Sequence, residues 1–81
     1  MLLSVIKSNQ VIWEGWVSKV RVPGVLGTFT ILPNHAPLIS MLRKGEIHFS
    51  TRDSIKEESI KIEKGCLKVE EDRVEVYCYE E

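Results

Sequence analysis

Apolar and polar residues alternate along most of this chain with a period of two, the spacing at which neighbouring side chains take opposite sides of a strand. In residues 16–22, Trp16, Val20 and Val22 share a face with Ser18, while Lys19 and Arg21 point the other way. Ile47 and Phe49 alternate with Glu46, His48 and Ser50, and Ile60 and Ile62 alternate with Ser59, Lys61 and Glu63. Residues 1–6 alternate as a first strand would. No window holds a 3.6-residue stripe of useful length. Turn residues recur at Ser8-Asn9, Pro23-Gly24, Lys44-Gly45, Arg52-Asp53, Lys64-Gly65 and Glu71-Asp72. Short strands at this spacing predict an all-β, antiparallel sandwich or flattened barrel of about eight to ten strands. The polar stretch 51–58 reads as a solvated hairpin end.

One hairpin can be set in register from sequence alone. With Glu71-Asp72 as a two-residue turn, Val69 falls opposite Val74 and Leu67 opposite Val76, two apolar pairs on one face. Cys66 then faces Tyr77 on the other side, whereas Cys78 shares the face of Val74 and Val76. The two cysteines stand on opposite faces, so no bridge between them is expected, and a reducing compartment fits. Tyr77 and Tyr79 point outward in this register.

At 81 residues the chain is one domain, 1–81. A domain this small buries only about 60% of its unfolded surface, which sets a modest stability. A 43% hydrophobic and 28% charged composition is that of a soluble globule. The formal net charge of −1 argues against a general affinity for nucleic acid or anionic lipid. No apolar run approaches the ~20 residues that span a bilayer, and residues 1–6 are too short for a signal peptide. The chain reads as cytoplasmic, with no direct lipid insertion.

Residues 27–45 break the alternation. The strand-like run 28–32 stops at Pro33, and Pro33, Asn34, His35, Ala36 and Pro37 form a stiff corner. Both prolines fix φ and remove a backbone donor, and Leu32 and Ala36 are pushed towards extended backbone. The string ILPNHAPL at residues 31–38 resembles the epsilon subunit of bacterial F-type ATP synthases, called delta in mitochondria. Trp13-Glu14-Gly15-Trp16-Val17, Val22-Pro23-Gly24, Gly27, Gly45-Glu46-Ile47, Lys64-Gly65 and Val74-Glu75-Val76 follow that family's order. The resemblance covers its amino-terminal domain, from about Leu3 to about Tyr79, and implies a two-sheet β-sandwich.

That resemblance also implies a function: a non-catalytic part of the rotary central stalk, peripheral at the cytoplasmic face of the bacterial inner membrane. In the family the sandwich binds the gamma subunit and seats the stalk on the membrane c ring, so that proton-driven rotation is coupled to ATP synthesis. For gamma, the expected contacts are His35, Leu38, Ile39, Trp13 and Trp16. For the c ring they are Gly24, Val25, Leu26, Gly27 and Thr28, helped by Arg43 and Lys44. Many members carry an acidic residue where this chain has Thr28, so a ring contact here rests on packing and neutral hydrogen bonds. The family's carboxy-terminal helical pair has no counterpart in residues 1–81, and its roles in inhibition and ATP binding are not carried over. An obligate homo-oligomer is not expected.

Each singled-out residue also has a plainer role. His35 either satisfies backbone groups of the corner or faces a partner, and the number of backbone groups there favours the first. Trp13 and Trp16, three apart, point to opposite faces unless Gly15 marks a bulge that brings both into the core. An exposed tryptophan would serve as a binding anchor. Val25 and Leu26 form an apolar loop that either folds inward or is covered by a partner.

Chemistry is poorly supplied. His35, His48, Cys66 and Cys78 follow no metal-ligand spacing, and Gly24 and Gly27 lead into a strand rather than the helix of a phosphate loop. No catalytic, cofactor or metal residues are expected, and no nucleic acid partner. A free-standing β-sandwich adaptor is the main alternative. A single-strand-binding barrel would need a basic groove with interleaved aromatics, which this acidic-leaning chain lacks.

Overall fold

Ser8 and Asn9 set the first corner. Both take positive φ, 52° and 62°, the geometry of a two-residue hairpin turn that follows the twist of its strands. They join β1 (Leu2–Lys7) to β2 (Gln10–Gly24), followed by β3 (Gly27–Ile31), β4 (Leu38–Leu42), β5 (Gly45–Thr51), β6 (Glu57–Ile62), β7 (Lys64–Glu70) and β8 (Arg73–Tyr79). This is a computed structural model, which describes residues 1–79; of the domain 1–81, residues 80–81 lie outside the described residues. The eight strands form the expected all-β sandwich.

β2 is the strand that makes two sheets from one chain. At 15 residues it is far longer than its neighbours, and its two halves pair with different strands. The first half lies against β1, with Val5 opposite Trp13 and Leu2 opposite Trp16. The second half lies between β3 and β5, with Val20 opposite both Ile31 and Phe49. The first sheet is therefore β2-β1-β8-β7-β4 and the second β3-β2-β5-β6. Because Gly24 also pairs with Leu42 of β4, the first sheet closes back on β2 as a flattened barrel does. One pair departs from the antiparallel expectation: β1 and β8 run parallel, Val5 beside Val76.

A bulge corrects the phase read along residues 16–22. Strict alternation puts Trp16 and Ser18 on the face of Val20 and Val22. In the structure Val17 is 1% exposed and Trp16 52% exposed. The β2–β5 register slips between Val17 and Lys19, and one extra residue reverses which parity faces inward. Gly15 is not a bulge, since it pairs regularly with Leu3. A Cβ there would lie 2.8 Å from the Trp13 ring, so glycine makes room for the indole. The second irregularity lies between Val5 and Ile6, where Ile12 is the extra residue on β2.

Three turn expectations also shift. Pro23 and Gly24 end β2, and the turn itself is Val25-Leu26. A Cβ on Gly24 would stand 2.6 Å from the Gly27 carbonyl oxygen. Lys64 and Gly65 already belong to β7, and a Cβ on Gly65 would meet the Tyr77 carbonyl oxygen at 2.6 Å. Both glycines permit a close backbone approach rather than a turn. Gly45 likewise opens β5, so that connection is Arg43-Lys44, whereas Ser8-Asn9, Arg52-Asp53 and Glu71-Asp72 fall as read, with Glu71 at φ 53°.

The core lies between the sheets. Leu3, Val5, Val17, Val20, Val22, Ile31, Ile47, Phe49, Leu67, Val74 and Val76 are all at most 1% exposed. Burying each such side chain stabilises by about 1.5–3 kcal/mol. The β7–β8 hairpin takes the register derived from sequence, Val69 with Val74, Leu67 with Val76, Cys66 with Tyr77. Both cysteines are free, Cys78 buried and Cys66 half-buried on the opposite face. Burial, opposed by the nearby Lys7 charge, raises the Cys78 thiol above its ordinary pKa of 9.0.

A candidate docking surface on the first sheet

Register carries side chains on the outer face of the first sheet into rows that cross the strands. Met41 of β4 lies beside Cys66 of β7, Cys66 beside Tyr77 of β8, Tyr77 beside Ile6 of β1, and Ile6 beside Val11 of β2. Five strands thus contribute one row, Met41–Cys66–Tyr77–Ile6–Val11, without a charged residue in it. Four strand intervals of about 4.8 Å make it about 19 Å long. Met41 and Val11 are exposed and the three between them half-buried. Tyr77's hydroxyl pKa is raised above 10.0 by partial burial and then by the adjacent Glu75 carboxylate.

The row runs into an apolar groove at its β4 end. Val25 and Leu26 form one wall, Ile39 and Met41 the other, with Phe29 and Leu38 between them, enclosing about 680 Å³. Two backbone bonds fix the walls: Val25 N–H donates to the Met41 carbonyl at 3.0 Å, and Arg43 N–H to the Pro23 carbonyl at 2.9 Å. Leu26 is fully exposed and Ile39 71% exposed. A small soluble domain has little reason to leave such a contiguous apolar surface bare.

The residues expected to contact gamma are not gathered at one place. Ile39 stands on the outer face of β4 and lines the groove. Leu38 is half-buried and packs against the core. Trp13 turns inward, its ring 4.4 Å from that of Phe49. Trp16 turns outward, with the Arg52 guanidinium 5.7 Å from the ring centre, so one tryptophan does lie outside the core. His35 occupies the surface corner, where its Nδ1–H donates to the Ala36 carbonyl at 2.7 Å. Around it Pro33, Asn34, Ala36 and Pro37 are exposed, and Asn34 takes φ 68°.

The residues expected at the c ring do come together in part. Gly24, Val25, Leu26, Gly27 and Thr28 all line the groove. Arg43 is joined to it through the Pro23 bond, and Lys44 instead reaches Glu63 at 3.8 Å. Met41, Cys66, Tyr77, Ile6 and Val11 are the residues that sequence reasoning did not assemble. The hairpin register already paired Cys66 with Tyr77, but joining them to Ile6 required the parallel β1–β8 pairing. Among the described residues no group of three or more His, Cys, Asp or Glu could hold a metal ion.

This β-sandwich thus carries one apolar row across the outer face of its first sheet, leading into an apolar groove beside a protruding turn. Its sequence matches the family model for the β-sandwich domain of the ATP synthase delta/epsilon chain over residues 1–80. It is 35% identical over 74 residues to the ATP synthase epsilon chain of Leptospira borgpetersenii serovar Hardjo-bovis, covering 91% of this chain and 57% of that one. Against the ATP synthase epsilon chain of Neisseria meningitidis serogroup C it is 36% identical over 76 residues, covering 94% and 54%. The fold also matches a chain in the structure of Euglena gracilis mitochondrial ATP synthase, OSCP/F1/c-ring, with a TM-score of 0.85. That match has 16% identity and covers 96% of this chain and 49% of the other. A second match, in the Tetrahymena thermophila mitochondrial ATP synthase central stalk and c ring, has a TM-score of 0.82 at 10% identity, covering 99% and 63%. The chain belongs to the ATP synthase delta/epsilon chain family, as its β-sandwich domain. It spans a little over half the length of the epsilon chains it matches.

Proposed function

We propose that this domain is a non-catalytic coupling element of a rotary F-type ATP synthase, held at the cytoplasmic face of the bacterial inner membrane. The first sheet's outer face binds the gamma subunit, and the Val25-Leu26 turn seats the stalk on the c ring. The observation that carries this reading is the continuous apolar surface from that turn across β4 to Val11, in a domain of this family. Ile39 and Trp16 lie on the gamma-binding side, with His35 at the rim. Trp13 and Leu38 support that face from beneath. Gly24, Gly27 and Thr28 shape the ring-facing turn, and Arg43 and Lys44 flank it.

Such an element needs a stiff body and adhesive surfaces, not an active site. Each elementary charge crossing 100 mV delivers about 2.3 kcal/mol, so the load passes through whatever joins ring to stalk. A closed first sheet with a filled core deforms little. The test is co-expression with the gamma subunit of the same organism, followed by sizing chromatography. A stable one-to-one complex is expected. A chain that elutes alone beside folded gamma would contradict the reading and favour a free-standing adaptor.

A further inference from the structure

β3 and β4 border the apolar groove but do not pair with each other. β3 pairs only with β2, in one register from Gly24 opposite Gly27 to Val20 opposite Ile31. The Pro23 carbonyl accepts from the Arg43 N–H at 2.9 Å, so Pro23 turns its backbone away from β3. Thr28, its register partner, therefore turns its own N–H and C=O away from β2. Two residues on, Thr30 does the same. Two donors and two acceptors thus line the free edge of β3. β4 has an open stretch as well. Its Met41 carbonyl accepts from Val25 N–H, which puts the Ile39 N–H and C=O on the side away from β7. Among the described residues no hydrogen bond closes either stretch.

The two edges of the second sheet differ. β6 carries Glu57, Glu58 and Lys61, charges that deter a further strand. β3 has no charge and no proline along Gly27–Ile31, and the exposed residues that flank it, Leu26 and Leu32, are apolar. An uncharged open edge is a template for one more strand.

We propose that this seam takes an extended segment of a partner polypeptide, added beside β3 with alternate apolar side chains set into the groove against Phe29 and Leu38. The occupant is a segment of gamma, because the groove is continuous with the row that gamma covers; this rests on that reading. Every polypeptide carries the donors and acceptors that match Thr28 and Thr30, so the segment need only be extended and apolar on one side. Five residues span the length of β3, about 17 Å. The backbone pairing fixes the direction and register of the segment, and the groove selects its side chains.

Amide hydrogen exchange on the free and gamma-bound chain tests this. In the free chain Thr28 and Thr30 are expected to exchange fast, and Phe29 and Ile31, bonded to β2, slowly. Binding of gamma is expected to slow Thr28 and Thr30 by at least about tenfold. Thr30→Pro removes one edge donor and sets a ring against the added strand while leaving the β2 ladder whole. Gamma affinity is expected to fall about tenfold. Thr30→Val keeps the backbone N–H and is expected to bind within about twofold of wild type. Melting curves within a few degrees of wild type exclude unfolding as the cause. Fast exchange at Thr28 and Thr30 in an intact complex, or equal effects of proline and valine at position 30, would overturn the seam and leave gamma on the outer face. Self-association of the free chain that Thr30→Pro abolishes would overturn it too, by making a second copy the occupant. If wild type fails to bind gamma, the seam falls with the reading it rests on.

Discussion

The two sheets present opposite outer faces, although each is crossed by a row of the same construction. On the first sheet the row is Met41–Cys66–Tyr77–Ile6–Val11. On the second it is Thr30–Arg21–His48–Ser59, read across β3, β2, β5 and β6. The second is finished without a partner: Glu57 lies 3.6 Å from Arg21 and 3.4 Å from His48, and β6, at the sheet's edge, carries charges that discourage pairing with another chain. The first satisfies its backbone in closed pairing but leaves its apolar side chains half-covered. One core serves both faces, so the difference is one of surface chemistry and not of fold. A face that evolution had kept for solvent would resemble the second.

The sharpest way to break this contrast is to damage what the faces share. Phe49→Ala removes a fully buried ring that also supports Trp13. It is expected to cost about 3–5 kcal/mol in urea unfolding and to impair both faces together. Next comes Met41→Asp, which puts a charge in the apolar row without touching the core. Gamma affinity is expected to fall about 100-fold with the melting temperature nearly unchanged. The matching change on the second face, Arg21→Ser, should leave gamma affinity within about twofold. Glu57→Gln is smaller still. Its ion pair with Arg21 lies at the surface, so unfolding stability should change by less than about 1 kcal/mol.

The smallest effect is in alkali. Cys78 and Tyr77 both have raised pKa values when folded, each mainly through burial. The folded state then holds protons that the unfolded chain has released, so the stabilisation is complete below about pH 9 and is lost as pH rises through the folded values. Chemical denaturation between pH 8 and 11 should show this decline, and Cys78→Ala should flatten part of it.

Local patterns were legible in the sequence and distant ones were not. Glu71-Asp72 fixes the β7–β8 register because a two-residue turn leaves one choice of pairing. The all-β class followed from alternation alone. Alternation failed at Ser18, because a bulge has no fixed sequence mark and reverses every later side chain on the strand. The outer row stayed hidden for another reason. It depends on Ile6 lying beside Tyr77, a parallel pairing between opposite ends of the chain that no turn announces. The proline corner, the clearest string for recognising the family, is mostly exposed and stands outside the strands. What identifies this chain and what forms its candidate docking row are therefore different residues.

Cys66 reports most directly on whether the first sheet is the covered face, because it is the half-buried free thiol within the row while Cys78 is buried. Its alkylation rate by a small maleimide would be measured with and without bound gamma, beside a His48→Cys variant on the second face. Protection of Cys66 by at least about tenfold, with labelling of the thiol introduced on the second face unchanged, is the predicted result. Equal labelling of Cys66 in the free and bound states, in a complex shown to be intact, would contradict the assignment of the first sheet as the covered face.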